Sequence, residues 1–392
     1  MKTLDLFEKY VIPNYTRYPV TLVRGEGSYI WDEDGKRYLD FFPGWGCNLL
    51  GHCPPRVVEA VRKQLGELIH IPNSWYSRVQ GEWAQMLSER SFGGKCFFCN
   101  SGTEANEAAI KLIRLHYSSE KKYKIITFEG GFHGRTMGSL SATAQAKYHE
   151  GLGPLLPGFV YAPYNDLQAV KEIVENDKEI AAIMLEPIQG EGGVRIPSEE
   201  FLKGLRTLCD QKGLLLHFDE VQTGCGRTGT WFAYQRLGVT PDTMSLAKAV
   251  SGGLAAGVLM CRSELATSLR PGMHAATFGG NPIAAAGGIA TIQMIEEENL
   301  LENANRNCEI FLQRFRELQQ TCDLIEDVRG RGAMIGIELN MNGTEIVQRC
   351  MERGLLINCT HGTVLRLLPA AILTEAEVHA GCDILCDVLK SV

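Results

Sequence analysis

The sequence predicts an α/β protein: a mostly parallel sheet covered on both faces forms a large domain, and a smaller α+β domain follows it. Three observations carry this. Short apolar runs alternate with stretches of helical spacing over more than two hundred residues, the pattern of a parallel sheet with crossover helices. At 392 residues the chain exceeds what one hydrophobic core usually supports. The last hundred residues then change from this alternation to long helices and short strands.

The candidate strands are Cys96–Cys99, Lys124–Thr127, Ala181–Leu185, Leu214–Phe218 and Met244–Ala247. Helical spacing marks Glu104–Tyr117, Leu167–Val174 and Glu199–Gln211. Ahead of them, Gly27–Phe41 reads as a hairpin turning at Asp34-Gly35, placed to pack with the C-terminal part. One long helical pattern from Pro282 to Gln320 leads into strands Met334–Leu339, Leu355–Asn358 and Val364–Leu368 and a terminal helix, Glu375–Leu389. The expected division is 1–47 joining the small domain, 48–285 as the large domain and 286–392 as the small one.

The 46 acidic and 39 basic residues give a net charge of −7 with no concentrated basic stretch, so nucleic-acid binding has little electrostatic support. No signal-peptide core and no apolar run long enough to span a membrane is present, which predicts a cytoplasmic protein. The 13 cysteines are odd in number and irregularly spaced, as expected of reduced, mostly buried thiols. Cys96-Phe-Phe-Cys99 has no second pair at zinc-ribbon spacing, and no metal is expected.

In parallel sheets ligands gather at the carboxyl ends of strands, and each chemical motif falls at such an end. Asn100-Ser-Gly-Thr-Glu-Ala-Asn106 suits a phosphate: Gly102 allows close backbone approach, Ser101 and Thr103 add hydroxyls, and the helix start favours negative charge. An ordinary N-cap turn fits those residues equally well. Leu214–Gln222 delivers Asp219 and Glu220, either to hold a heterocyclic nitrogen protonated or as a solvated or magnesium-binding pair. Lys248 ends an apolar run, where desolvation would free its amine for imine chemistry, although a lysine head reaching solvent past its stem is the commoner case.

Gly130-Gly-Phe-His-Gly-Arg135 offers Phe132 to stack on a flat ring and Arg135 to grip a carboxylate; a core aromatic and a surface ion pair are the plain alternatives. Glu186-Pro-Ile-Gln-Gly-Glu-Gly-Gly193 places Glu191 in a glycine-bordered loop. Gly224-Cys-Gly-Arg-Thr-Gly229 has nicotinamide-loop spacing but lacks the strand-turn-helix setting such a site requires.

Together the segments Ser101-Gly-Thr-Glu-Ala-Asn, Phe132-His-Gly-Arg, Glu186-Pro-Ile-Gln-Gly-Glu, Asp219-Glu-Val-Gln, Leu246-Ala-Lys and Thr277-Phe-Gly-Gly-Asn-Pro resemble, in order and spacing, the class III pyridoxal-phosphate-dependent aminotransferases. Within them the acetylornithine and ornithine branch is the most similar. The resemblance implies an aspartate-aminotransferase-like fold (fold type I) and pyridoxal 5′-phosphate as cofactor. It implies transfer of the ω-amino group of N2-acetyl-L-ornithine to 2-oxoglutarate, with ornithine, succinylated diamino acids and 4-aminobutyrate as other donors of the family.

By that resemblance Lys248 is the Schiff-base lysine and Asp219 the partner of the ring nitrogen, with Glu220 beside it. Val221 and Phe132 sandwich the ring, and Gln222 lies near its hydroxyl. Ser101, Gly102 and Thr103 hold the phosphate, and Thr277 reaches it from the neighbouring subunit of a homodimer. Arg135, assisted by Tyr15, binds the distal carboxylate; Arg366 binds the α-carboxylate of glutamate and is masked by Glu191. Three positions depart from the pattern: Ala275 and Ala276 replace a glycine and a small polar residue frequent in the family, Ala276 where its backbone approaches the substrate tail. Trp45 occupies a gate position usually held by tyrosine or a smaller aliphatic residue.

Overall fold

The computed structural model describes residues 3–392. Three strands, β1 (Leu22–Glu26), β2 (Tyr29–Asp32) and β3 (Arg37–Asp40), form an antiparallel meander. The β2–β3 turn falls at Asp34-Gly35 as expected, and Asp32 Oδ1 accepts from the backbone N–H groups of Asp34 and Lys36 at 3.1 and 2.8 Å.

A seven-stranded sheet follows: β4 (Lys95–Cys99), β5 (Lys124–Phe128), β6 (Phe159–Ala162), β7 (Ile180–Leu185), β8 (Leu215–Asp219), β9 (Thr243–Leu246) and β10 (Gly257–Cys261). Their order is β4-β10-β9-β8-β7-β5-β6, and only β10 runs against its neighbours. All five predicted runs are strands of this sheet. The sequence pattern missed β6 and β10, because short apolar runs look alike whether they end up in a strand or in a piece of core.

Along β7 the side chains alternate between two cores. Ile183 and Leu185 face Phe201, Leu205 and Val170 of the helices Glu199–Lys212 and Leu167–Asn176, whereas Ala182 and Met184 face Ala108, Leu112 and Ile113 of the helix Gly102–His116. Burial on both faces explains why these strands are continuous apolar runs. On β4, Cys96 and Cys99 are three apart and so project to opposite faces of the strand.

The pattern from Pro282 to Gln320 is two helices, Pro282–Glu297 and Leu300–Gln319, broken where Asn299 takes a left-handed φ of 52°. The expected boundary at 285/286 falls inside the first of these. Ala284, Ala285, Ala290, Ile292, Met294 and Ile295 of that helix pack in the core of the large sheet, as do Leu300 and Ala304 of the next.

The last strands are β11 (Ile325–Arg331), β12 (Met334–Leu339), β13 (Leu355–Leu356), β14 (Asn358–Thr360) and β15 (Val364–Leu367). The expected strand Leu355–Asn358 is divided at Ile357. Its first half, β13, pairs in parallel with β3, and its second half opens β14 on the sheet β11-β12-β15-β14. The N-terminal hairpin is thereby stitched to the C-terminal part, with Phe41 edge-on to Phe311 at 5.2 Å in the shared core.

Candidate active site

Five loops leave the carboxyl ends of the parallel strands β4, β5, β7, β8 and β9 and enclose a cavity of about 470 Å³. Lys248 follows β9 and lies in its wall with φ 46°, a left-handed conformation uncommon for a residue with a side chain and held here by its packing. Burial lowers the pKa of its amine, an effect only partly opposed by the charges of Glu191 and Asp219.

Asp219 is the last residue of β8 and only 3% exposed. Burial alone would raise its pKa, but the net shift is downward because the carboxylate is fully engaged. Oδ2 accepts from His133 Nδ1 at 2.8 Å and Asn106 Nδ2 at 2.7 Å, and Oδ1 accepts from the Val221 N–H at 3.0 Å. His133 is buried, which disfavours its charge, yet the contact with Asp219 raises its pKa overall. Neither His133 nor Asn106 was singled out from the sequence, although both lie inside quoted motifs. Their signal was adjacency to Phe132 and Thr103, and only the fold shows that both converge on Asp219.

Ser101 caps the helix Gly102–His116, its hydroxyl accepting from the Glu104 N–H at 3.3 Å. The N–H groups of Gly102 and Thr103 make no hydrogen bond among the described residues, as first-turn donors do, and lie at the cavity wall. A Cβ on Gly102 would stand 2.7 Å from Val221, so glycine is what lets the helix start meet the β8 loop. Phe132 and Val221 both border the cavity. The Phe132 N–H donates to Glu186 at 2.9 Å, and burial pushes the Glu186 pKa up to about 7.

Arg366, on β15, is fully buried. Nη1 donates to Glu191 at 2.8 Å and to Gln222 at 3.3 Å, and Nη2 donates to Asn358 at 3.0 Å. Thr360 in turn donates to the Glu191 carbonyl at 2.8 Å, fixing the loop that carries this carboxylate. Arg135 also lines the cavity, exposed and stacked on Tyr148 with Cζ 3.8 Å from the ring centroid.

Six expected site residues do not line this cavity: Arg366 lies behind Glu191 and Gln222, and five others lie elsewhere in the single chain. The Glu220 carboxylate turns away from the cavity: it accepts from Thr223 Oγ1 at 2.8 Å and from the N–H groups of Ala233 and Tyr234 at 2.9 Å, capping the short helix Ala233–Leu237. Strand alternation is the reason, since Asp219 and Glu220 are adjacent and must diverge. Tyr15 and Trp45 line a second cavity, of about 760 Å³. That cavity includes Phe42, whose ring lies 5.0 Å from Arg366 Cζ. Ala276 borders a third, smaller hollow beside Asn73 and Gln80, and Thr277 is exposed on the surface.

The residues at the first cavity fit a phosphorylated pyridine aldehyde. They comprise an amine with a depressed pKa, a carboxylate held ionised, two unbonded N–H groups at a helix start, and the apolar side chains of Phe132 and Val221. Such a fold and site define a pyridoxal-phosphate-dependent transferase. Residues 10–389 match the family Aminotransferase class-III, and the chain belongs to that family. It is 48% identical over 389 residues to an acetylornithine aminotransferase of Caldanaerobacter subterraneus subsp. tengcongensis, covering 98% of each chain. It is 44% identical to that of Methanocaldococcus jannaschii, over 99% of this chain and 98% of the other. Among solved structures, an ornithine aminotransferase from Toxoplasma gondii superposes with a TM-score of 0.96 at 31% identity, covering 99% and 93% of the two chains. An acetylornithine aminotransferase from Elizabethkingia anophelis gives 0.88 at 33%, covering 99% and 98%.

Proposed function

We propose that this chain transfers the ω-amino group of N2-acetyl-L-ornithine to 2-oxoglutarate, releasing N-acetylglutamate 5-semialdehyde and L-glutamate, a step of arginine biosynthesis. The observation that carries this is the Arg366–Glu191 pair, 2.8 Å apart, whose carboxylate lies in the wall of the cavity that holds Lys248. A donor that reacts through its ω-amine presents no carboxylate beside the reacting carbon, so a cation there must be masked; glutamate presents one, so the same cation must be released.

Pyridoxal phosphate, when bound, supplies an aldehyde carbon that captures amines and a protonated ring that withdraws electrons. The chain's own residues do the rest. Gly102, Thr103 and Ser101 would hold the phosphate, Phe132 and Val221 would pack against the ring, and Asp219, fixed by His133 and Asn106, would hold a proton at the ring nitrogen. Desolvation lowers the pKa of the Lys248 amine, which would take the proton from the substrate carbon and deliver it to the cofactor's aldehyde carbon. Arg135, charged and unpaired among the described residues, receives the distal carboxylate of either substrate.

Ornithine is the second reading of the donor. It is favoured less, since the named acetylornithine relatives reach 43–48% identity whereas the ornithine aminotransferase structures lie near 31%. An adjoining pocket with Trp45 in place of tyrosine also supports a donor whose tail differs from free ornithine.

We further place the protein in the cytoplasm as a homodimer. All 13 cysteines are free, which suits a reducing compartment. Thr277 sits in a surface loop held by Asn73, whose Nδ2 donates to the carbonyls of Ala276 and Gly279 at 3.2 and 2.9 Å. Phe278 lies in this loop, and the exposed apolar residues Ile69, Trp75 and Tyr76 neighbour in sequence the His70 and Asn73 that touch it, a patch suited to a second copy whose phosphate site Thr277 would complete.

A panel of amino donors assayed with 2-oxoglutarate tests the function; the highest kcat/KM should fall to N-acetylornithine. Glu191→Gln should separate the two half-reactions, shifting the ratio of their specificity constants by about 10–100-fold toward glutamate. Stopped-flow traces of each half measure this, and an equal loss in both would refute the masking role.

A further inference from the structure

The run Gly224–Gly229, with its dinucleotide-loop spacing, is a series of turns rather than the start of a helix. It carries Arg227, a side chain 0% exposed with no ion-pair partner among the described residues. Nη1 donates to the carbonyls of Ala333 and Leu368, both at 3.0 Å, and of Pro369; Nη2 donates to that of Gly46 at 2.9 Å. Burial lowers its pKa to about 10, so it remains a cation at neutral pH. A buried cation without a counter-charge is costly, and such groups are best attested where they specify one arrangement.

The four carbonyls come from three segments. Gly46 ends the turn Pro43–Gly46 that displays Trp45, Ala333 begins the passage into β12, and Leu368 and Pro369 directly follow β15, on which Arg366 lies two residues earlier. The backbone is equally close: Ala333 N donates to the Arg227 carbonyl at 2.8 Å, and a Cβ on Gly332 would stand 2.4 Å from Gly229 N. Leu368 N donates to the Phe41 carbonyl at 2.7 Å, tying the same strand end to the segment leading into Trp45.

We infer that Arg227 is a positioning residue for carboxylate recognition: it sets the end of β15, and hence Arg366, at a defined separation from the Trp45 turn and the β8 loop. This rests on the carboxylate-binding role proposed for Arg366. Lysine would keep the charge but present three donors from one nitrogen, which cannot span carbonyls that the planar guanidinium reaches from two nitrogens.

The test uses the cofactor-loaded enzyme and glutarate, a five-carbon dicarboxylate without a reacting carbonyl, with binding measured by calorimetry. Arg227→Lys should weaken glutarate about 10–100-fold and raise KM for 2-oxoglutarate while leaving cofactor affinity near wild type, because displacement of a binding group by about an ångström has effects of this order. In an Arg366→Lys background the same change should add no further loss. Gly46→Ala perturbs the contact from its other end, since its Cβ would stand 3.1 Å from Leu368 Cδ1, and it should reproduce the glutarate-selective loss if Arg227→Lys fails to fold. Unchanged glutarate affinity in Arg227→Lys, a parallel fall in glutarate affinity, cofactor affinity and kcat, or losses that multiply with Arg366→Lys would each overturn the inference. Arg366→Lys with unaltered glutarate binding would instead remove the carboxylate role of Arg366 itself, and with it the route assigned to Arg227.

Discussion

Asp219 and His133 illustrate how the chemistry depends on single side chains. Asp219→Asn keeps the shape of the carboxylate but cannot hold a ring-nitrogen proton by charge. The proton-transfer step should slow by about 10³-fold or more, read by stopped-flow absorbance, while cofactor affinity changes little. His133 bears on stability as well. Its pKa is raised on folding, so its contribution is fully present below the unfolded value of about 6.5 and is lost as pH rises through the folded value. Glu186 and Glu220, both pushed up to about 7, act with the same sign between about pH 4.5 and 7, so the histidine contribution is read as the difference between the wild type and a variant that cannot titrate there. His133→Asn keeps a donor toward Asp219 but cannot titrate. Urea unfolding at a series of pH values should show the alkaline decline of the wild type flattened in this variant, and an unchanged slope would argue against a charged His133.

The helix Gly102–His116 shows an element placed by one missing side chain. Its start is pressed against Val221 so closely that a methyl group at residue 102 would meet both γ carbons, at 2.7 and 2.8 Å. Gly102→Ala should therefore push the two unbonded N–H groups away from the phosphate position. A loss of about 1–3 kcal/mol is the usual cost of overpacking, and cofactor affinity should fall with it. Val221→Ala in the same chain should restore part of the loss by removing the opposing methyls. Fluorescence titration of the cofactor measures both, and a double variant no better than Gly102→Ala would point to a cause other than this contact.

At the scale of the molecule, the N-terminal hairpin and the C-terminal sheet are one packed unit, joined by β13 on β3 and by the Phe41–Phe311 contact. The exposed patch around Thr277 is one apolar surface that a single chain leaves uncovered, with Trp75 70% and Phe278 59% exposed. Trp75→Glu combined with Phe278→Glu should give monomers in sedimentation experiments. If Thr277 serves a neighbour's phosphate site, the monomers should also bind pyridoxal phosphate at least about tenfold more weakly, the loss of one or more charge-assisted hydrogen bonds. Monomers with full cofactor affinity would remove Thr277 from the site.

Local patterns determined the class of fold, since buried parallel strands must be apolar on both faces and crossover helices must show a 3.6-residue period. They also placed Lys248, Asp219 and the Ser101–Thr103 turn at strand ends, because those residues lie within a few positions of an apolar run. Tertiary structure decided what adjacency in sequence does not encode. Glu220 faces a helix cap although its neighbour faces the cavity, because alternate residues leave a strand end in opposite directions. The division of β13 from β14 depends on which strand each half joins, β3 for one and β15 for the other, and the same apolar residue types serve both. Arg227 had no local signal at all: its partners are carbonyl oxygens up to 181 residues away, every residue carries such an oxygen, and only folding makes these four converge on one guanidinium.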